Sequence, residues 1–152
     1  VLDTTESQIR FGRLFLKNAL GSEQSSLTVP TEVQYWTGSN FVTNTLDSFT
    51  TFDATTETGN VTLTYVTLLD GSTEASGEGT FALGVTDLFK LKAPDNGEVG
   101  EVKIEFKTED WLKYDWDNVD GDLNGPYDDD PGATAVFGQY RGRDRVIFKR
   151  ER

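Results

Sequence analysis

The chain has 152 residues, 36% of them hydrophobic and 12% aromatic, with a formal net charge of −12. That is enough apolar material for one domain with a core, and too much for a disordered acidic tail. It contains no His and no Cys, which excludes imidazole and thiolate metal sites, Ser-His-Asp and Cys-His catalysis, iron–sulfur clusters and disulfides. It also contains no Met, so it is expected to be a piece of a longer polypeptide or a processed product.

Asp3 to Gln8 is expected to make one short helical turn. Ile9 to Ala19 reads as a strand, ended by a Gly21–Ser22 turn. Thr28 to Trp36 reads as a second strand with Pro30 near its start, where a missing N–H is tolerable. Thr37-Gly38-Ser39-Asn40 predicts a hairpin turn into Phe41-Val42-Thr43. Thr and Ser supply 17 of the 44 residues from Thr37 to Thr80, and Thr beside Val, Phe and Tyr favours strands.

Val61 to Leu69, with β-branched or apolar residues on both faces, is expected to be a central strand, buried on at least one side and turned by Asp70-Gly71-Ser72. Gly77-Glu78-Gly79 leads into a strand from Thr80 to Val85. Val85 to Lys90 reads as a brief helical turn or a strand. Pro94-Asp95-Asn96-Gly97 marks a turn. Val102, Ile104 and Phe106 alternate with Lys103, Glu105 and Lys107, the period of a half-exposed strand. Thr134–Tyr140 and Arg145–Lys149 flank Arg141-Gly142-Arg143-Asp144 as a terminal hairpin. About eight to ten short strands at this spacing predict an all-β fold, an antiparallel β-sandwich, Ig-like or related, with a long acidic loop near the C-terminus. Residues 1–152 are expected to form a single module.

That loop holds the densest chemistry. Glu109 to Asp130 packs nine carboxylates against one Lys, and Arg141 to Arg152 then carries six Lys/Arg against two acids, local charges of −8 and +4. So many carboxylates need water, Arg or a metal ion to screen them. Asp120-Gly121-Asp122-Leu123-Asn124-Gly125 spells D-x-D-x-N-G, the first half of a calcium loop, in which alternating oxygens meet a hard cation and Gly allows the sharp turn. Pro131 stands where an EF-hand would place its bidentate Glu. Closure would then fall to the acids at Asp128, Asp129 and Asp130. Asp120, Asp122, Asn124, Asp128 and Asp130 are the candidate calcium ligands. The competing reading is a solvated loop paired with Arg141, Arg143 and Arg145, with Asp115 and Asp117 as further ligands or Arg partners.

Trp111, Tyr114 and Trp116 sit among these acids. Rings beside carboxylates suit a sugar, which stacks its apolar face on the ring and gives its hydroxyls to the acids. The alternative is that Trp111 and Trp116 are core anchors, and Trp36 carries the same two readings. A glycosidase could use two of the carboxylates, but no pair is marked by its setting, so no enzyme is expected. No Lys or Arg occurs from Asn18 to Phe89, which argues against nucleic acid as a partner. No apolar run approaches a membrane span, so this segment is expected not to insert in a membrane.

Three stretches carry a family resemblance. The first is Arg10-Phe11-Gly12-Arg13-Leu14 with Asn18-Ala19-Leu20-Gly21-Ser22-Glu23. The second is Val29-Pro30 with Tyr35-Trp36-Thr37-Gly38-Ser39-Asn40-Phe41-Val42-Thr43-Asn44-Thr45. The third is Asp110-Trp111-Leu112, Tyr114-Asp115-Trp116-Asp117, Asp128-Asp129-Asp130-Pro131, Phe137-Gly138 and Tyr140-Arg141-Gly142. Together they resemble the C-terminal region of MshQ-type proteins, large exported bacterial proteins encoded with the MSHA (mannose-sensitive haemagglutinin) type IV pilus system. The resemblance is strongest over residues 9–49 and 98–151. It implies an extracellular, bacterial cell-surface, adhesin-like module associated with pilus assembly or the pilus tip, and no known catalytic residues; the expected partners are pilus or surface-fibre components, or host or surface glycans. The family pattern carries a Cys near Asp47-Ser48-Phe49-Thr50, where this chain has Phe49. Two alternatives stand beside an adhesin-like module stabilised by Ca2+. One is a structural fibre subunit assembled end to end or by strand exchange through Val1–Leu16 or Arg145–Arg152. The other is a carbohydrate-binding domain.

Overall fold

The computed structural model describes residues 10–55, 58–116 and 129–138. Thirteen short strands carry the fold: β1 (Gly12–Leu16), β2 (Ala19–Gly21), β3 (Leu27–Thr28), β4 (Thr31–Trp36), β5 (Phe41–Thr43), β6 (Thr51–Asp53), β7 (Val61–Tyr65), β8 (Ala75–Ser76), β9 (Glu78–Thr80), β10 (Val85–Thr86), β11 (Lys90–Leu91), β12 (Gly100–Phe106) and β13 (Gly132–Phe137). One sheet has β1 antiparallel to β4, with β5 and β10 also pairing with β4. A second runs β2-β13-β12-β7, a third β3-β11-β8, and β6 pairs with β9. Among the described residues no sheet closes into a barrel, and the all-β architecture agrees with the expected β-sandwich. One pairing departs from an antiparallel scheme: β2 runs parallel to β13.

The strand expected over Ile9–Ala19 is divided between two sheets. β1 ends at Leu16, and Asn18 Oδ1 accepts from the Thr134 amide at 2.9 Å, which hands the chain to β13. The strand expected from Thr28 to Trp36 divides in the same place. Pro30 cannot donate to a ladder, so β3 pairs with β11 before it and β4 with β1 after it. The Lys17 amide donates to the Pro30 carbonyl at 2.9 Å, so both chain segments turn the sandwich corner together.

β7 corrects another expectation. It spans only Val61–Tyr65 and lies at the end of its sheet's order among the described residues. Val61 is buried and Leu63 and Tyr65 pack against the core, so the strand is buried on one side as expected, while Thr62 and Thr64 face outward on a solvated face. Val85–Lys90 forms no helical turn and is strand only at its two ends, β10 and the first residue of β11, with Asp87–Phe89 irregular between them; the strand expected from Thr80 to Val85 is likewise broken, β9 ending at Thr80 and β10 starting at Val85. Pro94–Gly97 makes the expected turn, a 3-10 turn over Asp95–Gly97. The period-two segment is β12, with Val102, Ile104 and Phe106 buried. It lies between β7 and β13. These side chains join Leu14, Val29, Val33, Phe81, Phe89, Leu91 and Phe137 in one hydrophobic cluster. The expected turn over Asp3–Gln8, most of the acidic loop and the second half of the terminal hairpin lie outside the described residues. No helix among the described residues is long and apolar enough to cross a membrane.

Candidate functional site: a shared aromatic cluster beside the acidic segment

Alternation along β1 separates two faces. Leu14 and Leu16 point into the core, so Phe11, Arg13 and Phe15 point out. The β1–β4 register sets Arg13 opposite Gln34 and Phe15 opposite Glu32, and the β4–β5 register sets Trp36 opposite Phe41. The outer face of this sheet therefore presents Phe11, Arg13, Phe15, Trp36 and Phe41 together.

The start of the acidic segment covers part of that face. A 3-10 turn over Asp110–Leu112 buries Leu112, whose side chain lies against the core-side surface of Gly12. Tyr114 and Trp116 reach the outer face instead, so the chain passes from one face to the other beside β1. Backbone bonds join Tyr114 and Asp129 in both directions, at 3.2 and 3.0 Å, and Asp129 Oδ2 accepts from the Trp116 amide at 2.9 Å. Asp130 Oδ1 accepts from the Thr108 amide at 3.0 Å and faces Lys113 Nζ at 3.8 Å. These contacts tie residue 116 to residue 129, the two ends of the central acidic stretch.

Two ring sets share members here. Arg13 Cζ lies 3.8 Å from the centroid of Phe41, 4.7 Å from Trp116, 4.9 Å from Tyr114 and 5.6 Å from Phe15. Arg13 Nε donates to Gln34 Oε1 at 2.8 Å, and Gln34 Nε2 donates to Glu32. Glu32 also takes Lys17 Nζ at 3.4 Å and the Thr43 hydroxyl at 3.2 Å. Burial lowers the pKa of the Arg13 guanidinium, and Tyr114 and Glu32 oppose that shift. The second set is Phe11, Trp36, Phe41 and Tyr114, which line an open groove of about 410 Å³. Phe11 and Trp36 are 45% and 44% exposed, enough to meet a ligand.

The expected aromatic residues take three different positions. Tyr114 belongs to both ring sets. Trp116 is stacked on Phe15, with centroids 5.9 Å apart and planes 24° apart, and its buried Nε1 lacks a hydrogen-bond partner among the described residues. Trp111 is 58% exposed, and the residue beneath it, Leu112, is the core anchor of that turn. Of the candidate calcium ligands only Asp130 is described, with the partners given above; Asp120, Asp122, Asn124 and Asp128 lie outside the described residues. Among the described residues no group of three or more acidic side chains is placed to hold a metal. Arg141, Arg143 and Arg145 are likewise not described.

A family model described as DUF6701, fourth domain, matches residues 10–152. The chain belongs to that family. No curated protein and no solved structure matches it.

In this DUF6701 domain another cavity, of about 440 Å³, is lined by Asp53, Asn60 and Glu109 together with the buried Phe52, Phe81 and Phe106. The Thr55 hydroxyl and amide donate to Asp53 at 2.6 and 3.0 Å and hold its carboxyl below the ordinary range. A general acid needs the opposite shift. In the aromatic groove Phe11, Trp36, Phe41 and Tyr114 present apolar ring surface, and the Arg13 guanidinium lies against Phe41 and Tyr114.

Proposed function

We propose that this domain is a non-catalytic, extracellular recognition module of a pilus-associated bacterial surface protein of the MshQ type, and that it binds carbohydrate through Trp36, Phe41, Phe11 and Tyr114. The observation that carries the reading is the open groove of aromatic side chains on an outer sheet face. Apolar sugar faces stack on such rings. The family description, a fourth domain, supports a module of a longer chain, and the MshQ-type resemblance supports the cell-surface setting. Calcium at Asp120, Asp122, Asn124, Asp128 and Asp130 is part of the proposal as a stabiliser of the acidic segment, with no role in chemistry. A glycan array tests the binding reading. Folded protein is expected to give hits that Trp36→Ala reduces at least tenfold, and an array with no hits would sink it. Assembly of a fibre by exchange of residues 1–16 is less well supported, because Gly12–Leu16 already pairs with Thr31–Tyr35 within the chain.

A further inference from the structure

We infer that Leu46, Phe49 and Leu83 form the face on which this domain seats the domain before it in the same polypeptide. The three are 66%, 74% and 63% exposed, and they stand on two loops that hydrogen bonds join. The Phe81 amide donates to the Thr50 carbonyl at 2.8 Å, the Gly84 amide to the Asp47 carbonyl at 2.7 Å, and the Leu83 amide to Ser48 Oγ at 3.1 Å. Asp47 fixes the first loop. It is buried, and its carboxylate accepts from the Phe49 and Thr50 amides at 3.2 and 2.9 Å and from the Thr50 hydroxyl. The loops are thus set before any contact is made, which spares a partner the entropy of ordering them. Leu83 is the residue that the fold does not explain. Ala82 and Val85 exchange backbone bonds at 3.0 and 3.1 Å around a two-residue turn, and Leu83 and Gly84 at its centre have φ of +52° and +80°. Asn or Gly suits the first of these positions, where a leucine crowds its own backbone and gains no burial. An apolar side chain kept at a strained, exposed tip indicates a contact made outside the domain.

The occupant follows from where the chain enters the fold. The family description makes this a fourth domain, which sets others before it. Arg10, at the entry to β1, lies over the Tyr35 ring at 4.0 Å and donates from Nη1 to Asn44 Oδ1 at 2.9 Å. Asn44 opens the turn that carries Leu46, since its carbonyl accepts from the Asp47 amide at 2.9 Å. The same carbonyl lies against Gly84, where a Cβ would fall 2.3 Å from it. An upstream domain is therefore delivered beside the patch. Two other occupants fit less well. Three side chains present less than the roughly 800 Å² per partner that a stable free complex buries, too little for a second copy. Tethering raises the effective concentration, so that a small contact suffices between domains of one chain. A lipid surface calls for Lys or Arg around the apolar tips, and the chain has neither from Asn18 to Phe89. The inference is independent of the carbohydrate reading and rests on the domain's place in a longer chain.

Hydroxyl-radical footprinting read by mass spectrometry tests this on unaltered side chains, in the full polypeptide and in the 152-residue chain alone. Oxidation of Phe49 and Leu83 is expected to be roughly fivefold slower in the full polypeptide, because a contact excludes water from its centre. Leu69, 70% exposed and beyond the end of β7, is expected to react equally in both. Equal rates at Phe49 and Leu83 in the two proteins would overturn the inference. Leu83→Asn gives a second test, since it removes the strain and the contact together. It is expected to raise the unfolding midpoint of the 152-residue chain and to speed oxidation of Phe49 in the full polypeptide. A lowered midpoint would show that Leu83 serves its own domain, and would overturn the inference too. Dimers of the chain alone that Phe49→Ser abolishes would assign the patch to a second copy. Binding of the chain to phosphatidylcholine vesicles would assign it to lipid. Either result overturns the proposal.

Discussion

Arg13 is held by shape as much as by charge. Its guanidinium lies among the rings of Phe41, Trp116, Tyr114 and Phe15 while Nε donates to Gln34. A lysine keeps the charge and loses both the planar stacking and the Nε bond. Arg13→Lys is therefore expected to cost about 1–2 kcal/mol and Arg13→Ala somewhat more, about 2–3 kcal/mol. Thermal unfolding reads both, and a lysine variant as stable as the parent would show that charge alone matters there. Gly77 makes a different demand. Its φ is +114°, and a Cβ built on it would fall 1.9 Å from the Leu88 carbonyl oxygen. That neighbour is backbone and cannot move aside, so Gly77→Ala is expected to cost more than about 3 kcal/mol in a urea titration. A loss below about 1 kcal/mol would mean that the β8–β11 region shifts freely.

Among the elements, β12 was legible because Val102, Ile104 and Phe106 alternate with charged residues and the strand is half exposed as a whole. β1 and β4 were legible as strands but not as parts of different sheets from β2 and β3. Strand propensity does not register a corner, although Pro30 marked the place where one was affordable. The one-sided burial of β7 is legible in Val61, Leu63 and Tyr65, but its place at the end of its sheet's order among the described residues is not, because β-branched Thr62 and Thr64 suit a solvated strand face as well as a buried one. The site was half visible. Phe11, Arg13 and Phe15 already alternate on one strand, a cation between two rings, which the sequence pattern offers to a reader who asks for it. Phe41 and Tyr114 are 28 and 101 positions from Arg13, and nothing local ties them to it; tertiary pairing of β4 with β5 and of Tyr114 with Asp129 brings them in. Trp36 was flagged beside its turn, while Trp111 and Trp116, equal in sequence, divide into an exposed ring and a packed one.

For the whole molecule, the unbalanced charge sets the most decisive measurement. Nine carboxylates between Glu109 and Asp130 repel one another unless they are screened. Thermal unfolding in EDTA, then in millimolar calcium with magnesium as control, separates a metal from an arginine screen. At about a hundred times Kd, calcium is expected to add roughly 2.7 kcal/mol, a rise of about 5–10 °C for a domain this size. Asp122→Ala is expected to remove that rise and leave stability in EDTA unchanged. Equal loss in both conditions, or no calcium-specific rise in the parent, would assign the screening to Arg141, Arg143 and Arg145.

The parallel pairing of β2 with β13 also fixes when the fold can be finished. Ala19–Gly21 find their sheet partners only at Ala135–Phe137, and the Asn18 side chain waits for the Thr134 amide. A ribosome must therefore deliver nearly all of this domain before the β2–β13 pairing can form. Pairings of such separation form slowly. Until then the early strands stand with an unfilled edge, the state in which a nascent chain is most open to mispairing and to the chaperones that prevent it.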